Sequence, residues 1–70
     1  MPLIIAPIGQ TLKVVKLLTD LDIQNYLKSL GITVNTNINV VSKNDSNIIC
    51  LVNETKIVLD NDIAQKIFVA

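Results

Sequence analysis

The hydrophobic period of this chain changes at a single glycine, and that change limits what the chain can fold into. Upstream of Gly31, the residues Ile23, Leu27 and Leu30 fall at i, i+4 and i+7, the spacing that lines apolar side chains along one face of a helix. Downstream, Ile38 and Val40 alternate with Asn37 and Asn39, a period of two that sends one face of a strand inward and leaves the other wet. A helix must therefore end, and a strand begin, within a few residues. Gly31 suits the left-handed position just past the helix, because it has no Cβ to clash there. The spacing predicts a helix over Leu21 to Leu30, with Thr19-Asp20 as its N-cap. Asp22 in the first turn and Lys28 in the last complement the helix dipole.

The remaining segments read mostly as strands. Leu3 to Ala6 is expected to be a short strand, closed by a tight turn at Pro7-Ile8-Gly9-Gln10. Thr11 to Leu18 is the first long strand. Within it Leu12 and Val14 share one face while Val15 and Leu17 share the other, so either both faces are covered or a bulge shifts the phase, and the bulge is favoured because a small barrel needs one to bend. Thr36 to Lys43 and Asn47 to Val52 form a hairpin around Asn44-Asp45-Ser46, residues whose side chains bond nearby backbone. Asn53-Glu54 reads as a two-residue turn into Lys56 to Leu59. Asp60-Asn61-Asp62 caps one helical turn through Ile63, Ala64 and Lys66, and Phe68-Val69 returns as an edge strand. The expected fold is mainly β. It is a small, partly open barrel of the SH3 type with five to six strands, one helix inserted after the first long strand, and a short C-terminal helical turn.

Seventy residues suffice for one domain, here residues 1–70. A domain this small buries only about 60% of the surface its unfolded chain exposes, which leaves a thin stability margin. With one Phe, one Tyr and no Trp, the core must come from Ile, Leu and Val, which pack well on a pleated sheet. Six Lys balance six acidic residues, so the chain lacks the positive field that nucleic acid or an anionic membrane surface would attract. Cys50 is the only cysteine, so no internal disulfide forms. The run Leu3-Ile4-Ile5-Ala6 has no basic residue before it and is broken by Pro7, unlike a signal peptide. No stretch approaches the ~20 apolar residues of a membrane span. A cytoplasmic, monomeric protein is expected, without membrane insertion.

The residue types needed for catalysis are scarce. With no His, neither a Ser-His-Asp nor a Cys-His arrangement can be assembled. Gly9 and Gly31 are the only glycines and stand far apart, so no phosphate-cradling loop exists. Arg is absent too, which removes any arginine finger. Cys50 lies between Ile49 and Leu51 with no cation beside it in sequence, and reads as a small buried hydrophobe. Asp60 and Asp62 lack the Gly and the terminal Glu of a calcium loop and read as helix caps. The acids are dispersed along the chain, and imidazole is absent, so no transition-metal set is discernible. We expect no enzyme, no catalytic or metal residues and no cofactor.

Surface contact remains as a mode of action. If Ile48, Cys50 and Val52 face the core, alternation sends Ile49 and Leu51 outward as a small apolar patch, unless the segment around Phe68 covers them. The exposed side of the helix, including Leu21, Tyr26 and Lys28, is a second candidate contact surface.

The segment Leu27, Leu30, Gly31, Ile32, Thr36, Ile38 and Val40 resembles the pattern L-x-x-L-G-[IL]-x-P-G-x-x-[VI]-x-V of the ferrous iron transport protein A (FeoA) family. Pro2-Leu3 and Gly9-Gln10-Thr11 with Val14-Val15 resemble its opening block. Val52-x-x-Thr55-x-Ile57-x-Leu59 and Ala64-x-x-Ile67-x-Val69 resemble its closing hairpin, helical turn and last strand. The resemblance spans nearly the whole chain. It implies an SH3-like barrel acting as a cytosolic accessory to a FeoB-like ferrous iron permease with a GTP-binding region. Two other readings stand beside it: a free-standing regulatory barrel acting on a metal-dependent repressor, and a weak transition-metal-binding protein. The sequence departs from the pattern at Val34-Asn35, in place of Pro-Gly, and at Glu54, where a hairpin Gly is usual. Gln24-Asn25-Tyr26 also stands where many relatives carry basic residues.

Overall fold

The computed structural model describes residues 1–70. Strands β1 (Thr11–Leu17), β2 (Asn37–Lys43), β3 (Asn47–Val52), β4 (Thr55–Asp60) and β5 (Ile67–Val69) pair antiparallel in the order β4-β3-β2-β1-β5. Helix α1 (Leu21–Ser29) connects β1 to β2, and α2 (Asn61–Ala64) connects β4 to β5. The sheet curls without closing, because β4 and β5 do not pair.

Two bulges produce the curl. Val14 pairs with Val69 and Lys16 with Phe68, so Val15 is the extra residue, and β1 bends as the sequence predicts. The first part of β1 pairs with β2 and the second with β5. The other bulge, at Val41, lies between the pairs Val40–Cys50 and Ser42–Ile49. It reverses the phase of β2, so Lys43 falls opposite the buried Ile48, and its ammonium reaches the Ala6 carbonyl.

Helix α1 starts where Asp20 accepts a hydrogen bond from the Ile23 N–H at 2.9 Å. It ends in a Schellman motif. Ile32 N–H donates to the Leu27 carbonyl at 2.8 Å and Gly31 N–H to Lys28 at 3.0 Å, with Gly31 at φ +86°. Leu27 and Ile32, the hydrophobic pair that accompanies this motif, are both fully buried. Fifteen residues form the core, all aliphatic apart from Cys50.

The expected strand over Leu3 to Ala6 is instead a 3-10 turn at Leu3–Ile5. Ile5 N–H bonds Pro2 and Ala6 N–H bonds Leu3, which puts Leu3 and Ala6 on one side, and both are buried. Pro2 and Ala6, which flank the turn, are extended. Met1 and Val69 exchange two backbone hydrogen bonds of 2.8 Å, and Pro2 bridges Phe68, so the outer edge of β5 is covered.

Candidate functional site

Chemistry at Cys50 is suppressed by its burial. The side chain is fully buried, its Sγ faces the Ile57 carbonyl at 3.6 Å, and loss of hydration pushes the thiol pKa up to about 11. It stays protonated at neutral pH and is no nucleophile. No three His, Cys, Asp or Glu side chains converge as a metal-binding group.

The outer face of the sheet is more distinctive. β3 alternates, with Ile48, Cys50 and Val52 buried while Ile49 is partly buried and Leu51 is 37% exposed. Ile49 pairs with Val58 of β4, which is 54% exposed, and Leu51 lies between Asn39 of β2 and Lys56 of β4. Val41, in the β2 bulge, is exposed as well. Ile49, Leu51 and Val58 thus form an aliphatic patch rimmed by Asn39, Ser42 and Lys56. Phe68 does not cover it. Phe68 pairs with Lys16 and bridges Pro2 on β5, with β1 and β2 between it and β3 in the sheet.

Beside Leu51, a shallow groove of about 220 Å³ runs between Thr11, Asn37, Asn39, Asn53 and Glu54. Asn39 donates to the Thr11 hydroxyl at 3.3 Å across its floor. The β3–β4 turn closes one end, with Asn53 at φ +50° and Glu54 at φ +67°. This is a type I′ turn, whose second central position is normally Gly. A carboxylate-bearing residue is thereby held in a conformation that ordinary side chains avoid. Asn35, at φ +78°, takes the corresponding strained position before β2.

The helix candidates separate into two groups. At about 100° per residue, Leu21 and Lys28 share the side facing away from the Ile23–Leu27–Leu30 stripe, while Tyr26 sits on its shoulder. Leu21 is 74% exposed, and Tyr26 and Lys28 are also exposed. Leu21 borders a second, wide depression with Thr19, Asp20, Asp22 and Gln24. The C-terminal end of α1 approaches the tip of the β3–β4 hairpin, since a Cβ on Gly31 would stand 3.6 Å from the Asn53 amide nitrogen and 3.7 Å from Val52. Sequence reasoning missed Val58 and Val41. The signal for Val58 was present, because a two-residue turn at Asn53-Glu54 fixes the register that sets Val58 opposite Ile49.

Together these features define a small SH3-like β domain with an exposed aliphatic outer face and no assembled catalytic group. The FeoA domain family model matches residues 1–70, and the chain belongs to that family of small domains related to ferrous iron transport. Among solved structures, the chain is similar to an iron uptake regulatory protein (FeoA), at 24% identity and a TM-score of 0.90, over 99% of this chain and 93% of that one. It is also similar to iron(II) transport protein A from Clostridium thermocellum, at 21% identity and TM-score 0.91, over 99% of this chain but 44% of that one. A manganese-dependent transcriptional repressor matches at 22% identity and TM-score 0.90, over 100% of this chain and 40% of the repressor. A comparison with curated protein sequences gives no match. No helix is long and apolar enough to cross a membrane.

Proposed function

We propose that this chain is a non-enzymatic, cytoplasmic accessory of ferrous iron uptake that docks on the GTP-binding region of a FeoB-like permease. Ferrous iron is the cargo of that permease and is not held by this domain. The observation that carries the reading is the Ile49, Leu51 and Val58 patch, open on the outer face of a domain whose family is related to ferrous iron transport. Such a patch gives contact area without chemistry. Docking shifts the permease between its states only to the extent that one state binds more tightly. Arg is absent, so the domain supplies no arginine finger to a GTPase site in trans.

Leu51→Lys tests this, because the side chain is exposed and the substitution leaves the core intact. The variant should keep the native fold by circular dichroism and lose at least about tenfold in affinity for the permease's soluble GTP-binding region. Native-strength binding by the folded variant contradicts the proposal.

A second reading draws support from the repressor match: a free-standing regulatory barrel acting on a metal-dependent repressor. A neighbouring gene encoding a large membrane GTPase favours the permease. A neighbouring winged-helix regulator favours the repressor.

A further inference from the structure

The two ends of the sheet are treated differently. The outer edge of β5 is occupied by Met1 and Pro2, whereas β4 ends the sheet on the other side with nothing paired to it. The two-residue turn at Asn53-Glu54 makes Val52–Thr55 a hydrogen-bonded pair, so Ile57 and Leu59 also direct their backbone groups at β3. Lys56 and Val58 then direct theirs outward, as does the Asp60 N–H, while the Asp60 carbonyl opens α2 as its N-cap; no partner within the chain takes the N–H or C=O of Lys56 or Val58. Free edges of this kind template pairing with another chain.

The charges along this edge choose the partner. Lys56 lies opposite Leu51 on β3 and Asp60 opposite Asn47, so neither meets an opposite charge within its own sheet. Lys56 and Asp60 are placed symmetrically about Val58. We propose that β4 is a homotypic interface, in which two copies pair their β4 strands antiparallel about a two-fold axis at Val58. In that register each Lys56 stands opposite the other copy's Asp60, and the two Val58 side chains meet at the centre. The exposed aliphatic patches of the two copies then join into one surface.

Other symmetric registers fail. An axis at Lys56 opposes two ammonium groups, and one at Asp60 opposes two carboxylates; like charges directly opposite destabilise a strand pair. An axis at Ile57 sets Lys56 opposite Val58 and brings Glu54 toward Asp60, and an axis at Leu59 sets Asp60 opposite Val58, so neither register pairs Lys56 with Asp60. The interface is isologous, so it closes as a dimer and does not propagate. Asp60 spends one carboxylate oxygen, Oδ1, on the Ile63 N–H at 3.0 Å, which leaves Oδ2 for the lysine. Three edge residues per copy bury well under about 1,000 Å², so association is weak, concentration-dependent and salt-sensitive. The sequence-based expectation of a monomer then describes dilute conditions only.

Sedimentation velocity from about 10 µM to about 1 mM protein tests the interface. The native chain should rise from 7.7 kDa toward twice that mass. Lys56→Glu should weaken dimerisation at least tenfold, as should Asp60→Lys. An equimolar mixture of the two variants should recover it, because both cross-strand pairs then regain opposite charges. Val58→Pro, which removes an outward N–H that β3 does not use, should give a folded monomer. A native chain that remains at 7.7 kDa at about 1 mM overturns the proposal. So does undiminished dimerisation of Lys56→Glu, or a mixture of folded variants that fails to associate. None of these outcomes depends on permease binding.

Discussion

Glu54 occupies a left-handed position, φ +67°, at the second place of a type I′ turn, where residues with a Cβ are strained. Glu54→Gly should therefore raise unfolding stability by about 1 kcal/mol, after allowing for the extra chain entropy of glycine. Urea denaturation with an unchanged slope and a higher midpoint is the expected result. Cys50 provides a second handle at this scale. Its pKa rises from 9.0 to about 11 on folding, through burial, so the folded state keeps its proton where the unfolded chain has lost it. That contribution is intact below about pH 9, falls as pH climbs through the interval, and levels off above about pH 11. The full loss is about 2–3 kcal/mol. Comparing native and Cys50→Ala unfolding across pH 8 to 11 isolates it from lysine and tyrosine titration, and the variant should show the shallower decline.

Elements whose start and stop signals are local were legible in the sequence. Asp20, the Leu27 stripe and Gly31 together delimit α1, and each is used as expected. Asp20→Ala removes the acceptor for the Ile23 N–H and should cost about 1 kcal/mol, readable as a lower thermal midpoint. The β1 bulge was legible too, because a break in alternation is resolved either by covering both faces or by a bulge, and the bulge lets Leu12 and Leu17 pack against the core beside the buried Val14. The Leu3 to Ala6 strand was not. An apolar run of four residues has no period of its own, and Leu3 with Ala6 fits a 3-10 turn as well as a strand. What decided it was tertiary: both side chains enter the core, and the Ala6 carbonyl receives Lys43. The inward turn of Lys43 depends in turn on the Val41 bulge, which two adjacent valines do not announce.

For the whole molecule, the two halves of the outer-face patch differ in legibility. Ile49 and Leu51 follow from alternation on one strand, whereas Val58 joins them only through the register between strands. On the helix, Leu21 and Tyr26 are near in sequence and both exposed but point in different directions. The molecule is small, with a radius of gyration of 10.5 Å, and its core contains neither Trp, Tyr nor Phe. Leu27→Ala, at the fully buried contact between α1 and the sheet, should cost about 2–5 kcal/mol, a large share of what a domain this size commands. A broad or absent unfolding transition is the expected reading.

We propose that the domain docks through the Ile49, Leu51 and Val58 face, with the exposed side of α1 as a second candidate contact, and without bond-making chemistry. Chemical-shift mapping of the labelled chain, titrated with the soluble GTP-binding region of the permease, tests this most directly. Run at a protein concentration where the native chain is monomeric, perturbations should cluster at Ile49, Leu51 and Val58 and along Leu21 to Lys28. An unchanged spectrum at saturating partner, or perturbations confined to the 3-10 turn and β5, contradicts the account.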